Sequence, residues 1–288
     1  MKVSVWGSRG SVASPGPETV HYGGNTSCVE VRNSRGDLVV LDSGTGARRL
    51  GRTLLGRTEP VHVVLTHLHM DHIQGLGFFG PLYVPGLEVH LWGPASKTQA
   101  HRSRLARYMS PPLFPVWLKD LPCDLHVHDL PTGHDFEVPG FRLRVAKVCH
   151  PGFTFGVRVE ADGTSVTYIP DHEPALLGVS FPNHPEWVSG YDLALGTDLL
   201  IHDAQYDDED YCDRVGWGHS ATSHLVTFAR LVRPSVLMPF HFEPAYDDSD
   251  LDRIVDRLTS ALAPDISVVA GREGVTVTVE PAATVADG

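Results

Sequence analysis

The chain has 288 residues, 42% of them hydrophobic and 20% charged, a composition that excludes wholesale disorder and fits one large domain or two small ones. Its 35 acidic residues outnumber its 23 Lys and Arg, and the net charge of −12 argues against a binder of extended nucleic acid, which needs a broad basic surface for counterion release. No run of 18 apolar residues is present to cross a bilayer, so no membrane partner is expected.

The opening stretch, through Gly7-Ser8-Arg9-Gly10-Ser11, lacks the apolar core of a secretory leader. Cys28, Cys123, Cys149 and Cys212 are scattered without CxxC spacing, which points to a reducing cytoplasm, not a disulfide framework or thiolate zinc site. Runs rich in Val, Ile and Leu predict strands at 2–6, 27–32, 37–41, 61–65, 87–92, 141–148, 154–160, 164–169, 198–201, 235–239, 266–270 and 275–280. Helical periodicity predicts helices at 46–55, 95–109, 220–232 and 248–262; in the last, Leu251, Ile254, Val255, Leu258 and Leu262 share one face. Hairpin turns are predicted at Ala161-Asp162-Gly163 and at 271–274. The Pro-rich segment 110–115 breaks helix, and the neighbouring Leu113, Phe114 and Trp117 suggest a loop that packs onto the body. Together these describe a single α/β domain over residues 1–288, with sheets packed face to face and helices outside.

The 17 histidines are the feature that composition does not explain. The apolar strand Val61-His62-Val63-Val64-Leu65 runs into Thr66-His67-Leu68-His69-Met70-Asp71-His72. Four nitrogen and oxygen ligand types directly after a buried strand are what Zn²⁺ and other borderline ions take. Alternation aims His67 and His69 to one side of an extended backbone, while Asp71 and His72 follow where the chain turns and are placed to face a second ion. Further ligands are needed, because each ion takes three or four side chains. His150, Asp171 and His241 each follow the end of an apolar strand, the edge where α/β sheets build sites.

This pattern resembles the metallo-β-lactamase superfamily over nearly the whole chain. The resemblance implies a four-layer αββα sandwich with two divalent ions between the upper edges of its sheets. His67, His69 and His150 would hold one ion; Asp71, His72 and His241 the other; Asp171 would bridge them. Zn²⁺ is the first choice, with Mn²⁺ or Fe next, since these ligands discriminate weakly. Dinuclear β-lactamases often carry Cys at the bridging position, so Asp171 weighs against antibiotic hydrolysis. The segments His202-Asp203-Ala204-Gln205 and Gly218-His219-Ser220-Ala221 are similar to the paired HEAT and HST motifs of the tRNase Z branch, where a Glu–His pair assists phosphodiester cleavage. Here Asp203 replaces the Glu, and no long basic arm for clamping tRNA is found. The Gly-rich segments 7–11, 23–27 and 42–46 resemble bacterial small phosphodiesterases, including those for cyclic phosphates.

The chemistry expected is hydrolysis of a small phosphodiester by hydroxide generated at the two ions, with Asp71, His219 and Asp203 as the catalytic set. His219 would protonate the leaving oxygen and Asp203 orient its ring, against the alternative that His219 caps the helix beginning near Ser220. Competing functions are thioester or lactone hydrolysis of the glyoxalase II-like kind, and a metal-binding module without turnover. Arg48, Arg49, Arg52 and Arg57, and Lys97, Arg102, Arg104 and Arg107, either steer a phosphate or form solvated helix faces. His172 and His21 rank low as near-site residues, and His126, His128 and His184 are read as ordinary. Oligomeric state is left open, a homo-oligomer included.

Overall fold

The computed structural model describes residues 1–131, 133–174, 181 and 184–280, and every predicted strand is present in it. The first sheet begins with β1 (Lys2–Gly7), β2 (Cys28–Arg32), β3 (Leu38–Leu41), β4 (Val61–Val64), β5 (Glu88–Gly93) and β6 (Asp124–Asp129). The second contains β7 (Phe136–Val138), β8 (Phe141–Lys147), β9 (Phe155–Ala161), β10 (Thr164–Ile169), β11 (Leu199–Asp203), β12 (Val236–Phe240) and β13 (Ser267–Val268). Strand β14 (Thr276–Thr278) returns to the first sheet beside β1. The sheet orders are β14-β1-β2-β3-β4-β5-β6 and β13-β12-β11-β10-β9-β8-β7. Each sheet is antiparallel in one half and parallel in the other, the parallel halves being β3 to β6 and β10 to β13.

Side-chain patterning decides which face each strand buries. In β8, Phe141, Leu143 and Val145 point into the space between the sheets while Arg142 and Arg144 point to solvent, an alternation of period two. Opposite them, Val3, Val5, Val39 and Leu41 complete the inter-sheet core. Strands β3 and β4 are buried on both faces, and so read as nearly continuous apolar runs. Their other face, with Val40, Val61 and Val63, packs against Leu50 of α1 (Ala47–Thr53). The chain then adds a short α2 (Met70–Ile73) and α3 (His101–Tyr108), whose Leu105 joins the same layer. Outside the second sheet lie α4 (Tyr191–Ala194), α5 (Asp208–Tyr211), α6 (Thr222–Val232) and α7 (Asp248–Leu262). Leu225, Phe228, Leu251 and Leu258 cover Leu200 and Leu237 there. The result is the expected four-layer αββα sandwich.

Several sequence expectations need correction. The helix read over 95–109 is present only as α3, because Ser96 Oγ accepts the backbone N–H of Gln99 (3.0 Å) and holds the preceding residues in a local turn. The segment 271–274 is no hairpin; it carries the chain from β13 in the second sheet to β14 in the first. The turn at Asp162-Gly163 is a hairpin, with φ of 52° and 70° at the two central residues. From the Pro-rich loop only Phe114 packs inward, while Leu113 and Trp117 stay exposed. Strands β6 and β7 fall outside the apolar runs, since β6 has only Leu125 and Val127 among His and Asp and β7 is three residues long.

The topology places the site. Following β3, β4, β10, β11 and β12 out of their C-terminal ends leads to Asp42, His67, Asp171, Asp203 and His241, which gather at one edge of the sandwich.

Candidate metal centre

The turn after β4 carries the first ligand types. His69 is extended (φ −67°, ψ 154°) and caps the one-turn helix α2, which brings Asp71 and His72 around to the neighbouring space. The structure brings together His67, His69, His150 and Asp171 in one group, and Asp71, His72, Asp171 and His241 in another. Asp171 divides its oxygens between them. Oδ2 stands 3.6 Å from Nε2 of both His67 and His150, whereas Oδ1 stands 3.0 Å from His72 Nε2 and 3.3 Å from His241 Nε2. Asp71 Oδ2 lies 3.2 Å from His72 Nε2 and 3.0 Å from His241 Nε2. His69 Nδ1 lies 3.2 Å from His150 Nε2.

These spacings suit ions of zinc size. Tetrahedral bonds of about 2.0–2.1 Å put neighbouring ligand atoms roughly 3.3–3.4 Å apart. Two of these atoms also lack other work: His67 Nε2 and Asp171 Oδ1 are buried with no hydrogen-bond partner among the described residues, a costly state that a bound cation would remove. Burial, reinforced by His72, pushes the pKa of His67 down, so its imidazole is neutral and ready to ligate. Burial alone would lower the pKa of His72 too, but Asp171, Asp71 and Asp42 converge on it and raise it well above the usual value. That carboxylate excess is what a divalent ion would neutralise.

A surrounding layer aims the ligands. Asp42 Oδ2 is 2.8 Å from His72 Nδ1 and accepts from Tyr168 Oη (3.0 Å), while Oδ1 accepts the Thr66 N–H (2.7 Å). Thr66 Oγ1 meets His67 Nδ1, the Gly218 carbonyl meets His150 Nδ1, and Gln205 Oε1 meets His241 Nδ1 at 2.9 Å. The Ser11 N–H donates to Asp71 Oδ2 (2.8 Å). Ser11, Asp42 and His241 all hold left-handed backbones, with φ of 57°, 59° and 61°, the kind of strain that concentrates where geometry is over-determined. Of these supports, the sequence motifs include the segments that contain Ser11, Asp42, Thr66, Gln205 and Gly218 but not Tyr168. Asp42 has a usable signal, an acid just past a buried strand, as Asp171 is. Asp42→Asn and Gln205→Ala are each expected to weaken metal affinity about 10–100-fold, checked by chelator competition.

His219 does not cap a helix. The N-cap of α6 is Ala221, and the first-turn Ser223 N–H is met by Asp208 Oδ1 (3.0 Å), not by His219. Instead His219 Nδ1 lies 2.7 Å from Asp203 Oδ2, and its ring stacks on His241 at 5.0 Å. Burial opposes its charging, yet Asp203 outweighs it and raises the pKa to about 9. Asp203 is itself fixed by the N–H groups of His172, Gln205 and Ser220. The loop before His219 is held from behind by buried Glu173, which accepts from the N–H groups of Gly216 and Gly218 at 2.8 Å and from Tyr211 Oη at 2.7 Å. Sequence reasoning missed Glu173.

Other candidates stand elsewhere. His172 is buried behind the site with Nδ1 2.9 Å from His202 Nε2, and His21 lies at the surface beside Asp252. Arg9 is fully buried and donates to the carbonyls of Gly23, Glu243 and Tyr246, tying loops together. The Gly44 and Gly46 N–H groups bond to Ser27 and Thr26 carbonyls and shape a turn; a Cβ on Gly44 would stand 2.2 Å from the Asp71 carbonyl oxygen. Arg49 pairs with Glu273, Arg57 with Glu59, and Arg104 donates to the Pro94 carbonyl. A cleft of about 410 Å³ opens over the centre, bordered by Ser11, Leu68, Met70 and His219, a size suited to a small ligand.

The family model for the β-lactamase superfamily domain matches residues 38–242. Ribonuclease Z of Mycobacterium marinum is 26% identical over 230 residues, covering 73% of this chain and 77% of that protein. Among solved structures, a metallo-β-lactamase fold protein from Bacillus subtilis superimposes with a TM-score of 0.70 at 16% identity, covering 96% and 99% of the two chains. A diphosphatase of the PhnP family gives a TM-score of 0.67 at 20% identity, covering 97% and 98%.

Proposed function

The chain belongs to the metallo-β-lactamase superfamily, and from that premise we propose that it is a dinuclear metal-dependent phosphodiesterase acting on a small phosphodiester, a cyclic nucleotide or cyclic phosphate among the candidates. The observation that carries this reading is the Asp203–His219 pair at the lip of the two ligand groups. His67, His69 and His150 would hold one ion and Asp71, His72 and His241 the other, with one Asp171 oxygen toward each. When bound, two divalent ions there, Zn²⁺ first, supply positive charge for the phosphoryl oxygens and lower the pKa of water to roughly 7.

The protein's own residues supply the rest. Asp203 occupies Nδ1 of His219 and stabilises the imidazolium, leaving Nε2 to face the cleft. As a water-derived hydroxide bonds to phosphorus and the ester P–O bond breaks, Nε2–H passes its proton to the leaving oxygen, and the imidazole ends neutral. Thioester cleavage needs no such acid, because a thiolate leaves readily, and the pair therefore favours a phosphodiester. Ribonuclease Z relatives raise RNA as the alternative substrate. The net charge of −12 and the local pairing of Arg49, Arg57 and Arg104 favour a small one.

The test is a substrate panel on protein of measured metal content. Bis(p-nitrophenyl) phosphate and a cyclic nucleotide are expected to be cleaved, and a cephalosporin left intact. Turnover of thioesters or lactams alone, or efficient processing of a tRNA precursor, would overturn the assignment.

A further inference from the structure

A second histidine cluster lies on the first sheet, away from the candidate centre. The register pairs His62 of β4 with His90 of β5, and His90 with His126 of β6, so three imidazoles form one row across three strands. The next rows place Trp92 opposite His128 and Glu88 opposite Asp124, all on the same face by the two-residue period. The rings are nearly parallel, with centroids 4.4 Å apart for His62–His90 and 4.8 Å for His90–His126. His62 precedes His67 by five positions, about 16 Å along an extended strand, so the row stands well back from the centre.

The polar atoms converge. Glu88 Oε1 is 2.6 Å from His90 Nε2, and one ligand atom each from Glu88, His90 and His126 falls within 4.8 Å of the others. On the opposite side of the His90 ring, Nδ1 meets His128 Nε2 at 2.8 Å, an outer contact of the sort that fixes a metal-binding imidazole. Asp124 Oδ1 adds negative charge 3.3 Å from His126 Nε2. His62, outside this ligand group, closes the inner end of the row. It is only 5% exposed and lies face to face on His90, yet its Nε2 has no hydrogen-bond partner among the described residues. A bare buried nitrogen is costly to leave unpaired.

We propose that Glu88, His90 and His126 form an accessory site for a borderline divalent transition cation such as Zn²⁺, Ni²⁺ or Cu²⁺. Two imidazoles and one carboxylate select this class over Mg²⁺ and Ca²⁺, which prefer all-oxygen shells. The side chains of Glu88 and His126 are 46% and 42% exposed, so the site is open to solvent and leaves coordination positions free.

Equilibrium dialysis of the full chain against Zn²⁺, followed by elemental analysis, tests this. Wild type is expected to hold one equivalent more than the Glu88→Gln/His126→Gln double variant, whose changes are at exposed side chains and spare the core. His67→Ala should keep that equivalent even if the main centre is lost, which separates this inference from the proposed function. Cu²⁺ supplies a second readout, because Trp92 stacks on His128 at 4.0 Å. Saturable quenching of tryptophan fluorescence should require at least tenfold more Cu²⁺ in the double variant, and its amplitude should fall in Trp92→Phe. Equal metal content in wild type and double variant, with unchanged quenching, would overturn the proposal.

Discussion

Replacing His67 or Asp171 by Ala is expected to remove metal and activity together. His67 has its Nδ1 held by Thr66 and its Nε2 bare, so deleting the ring leaves one ion with two imidazoles and a shared carboxylate. Asp171 is the more damaging position, because its two oxygens face different ligand groups and its loss disconnects both. Lewis-acid stabilisation of a transition state is worth several kcal/mol, and each 1.36 kcal/mol is a factor of ten. Turnover of bis(p-nitrophenyl) phosphate should therefore fall on the order of 10³-fold or more. Elemental analysis should read close to two ions per chain at the centre in wild type and fewer in either variant. Metal bound in these variants at the wild-type level, or a single ion with Asp71 and His72 unliganded, would remove the two-ion reading.

Much of this candidate centre is legible because its proposed ligands sit where sequence rules are strongest. Each of His67, His150, Asp171 and His241 follows an apolar strand, and strand ends are set by local pattern. That Asp171 would bridge the two groups is implied by the family resemblance and not by spacing, and the division of its oxygens is seen only in the structure. What the sequence hid were contacts between distant segments. Gln205 reaches His241 across 36 positions and Glu173 reaches Gly218 across 45, and no periodicity marks either residue. The row of His62, His90 and His126 was hidden for the same reason. It exists only through strand register, and β6 offers just Leu125 and Val127 as apolar positions to mark it as a strand. The fold was clearest where both strand faces are apolar, as in β3 and β4. It was misread where side-chain hydroxyls redirect the backbone, as at Ser96, or where one turn joins two sheets, as at 271–274.

The Asp203–His219 pair gives the sharpest expectation, since a general acid matters only as much as the leaving group needs it. An alkoxide expelled from a cyclic nucleotide or alkyl diester must be protonated as it departs, whereas p-nitrophenolate leaves unaided. Loss of general acid catalysis costs about 10²–10⁴ in rate, or roughly 2.7–5.4 kcal/mol of barrier. His219→Ala should approach that loss on the alkyl substrates and be much milder on the p-nitrophenyl diester. Asp203→Asn should show the same pattern with a smaller effect: Nδ1 keeps a hydrogen-bonding partner, but the carboxylate that favours the imidazolium is gone. Because His219 falls outside both proposed ligand sets, metal content should not change in either variant. Equal losses on both substrate types with metal retained would mean that His219 binds or positions the phosphate. A loss of metal in His219→Ala would instead make it a ligand, in the group where its ligand atom and those of Asp203 and His241 lie within 4.8 Å of one another.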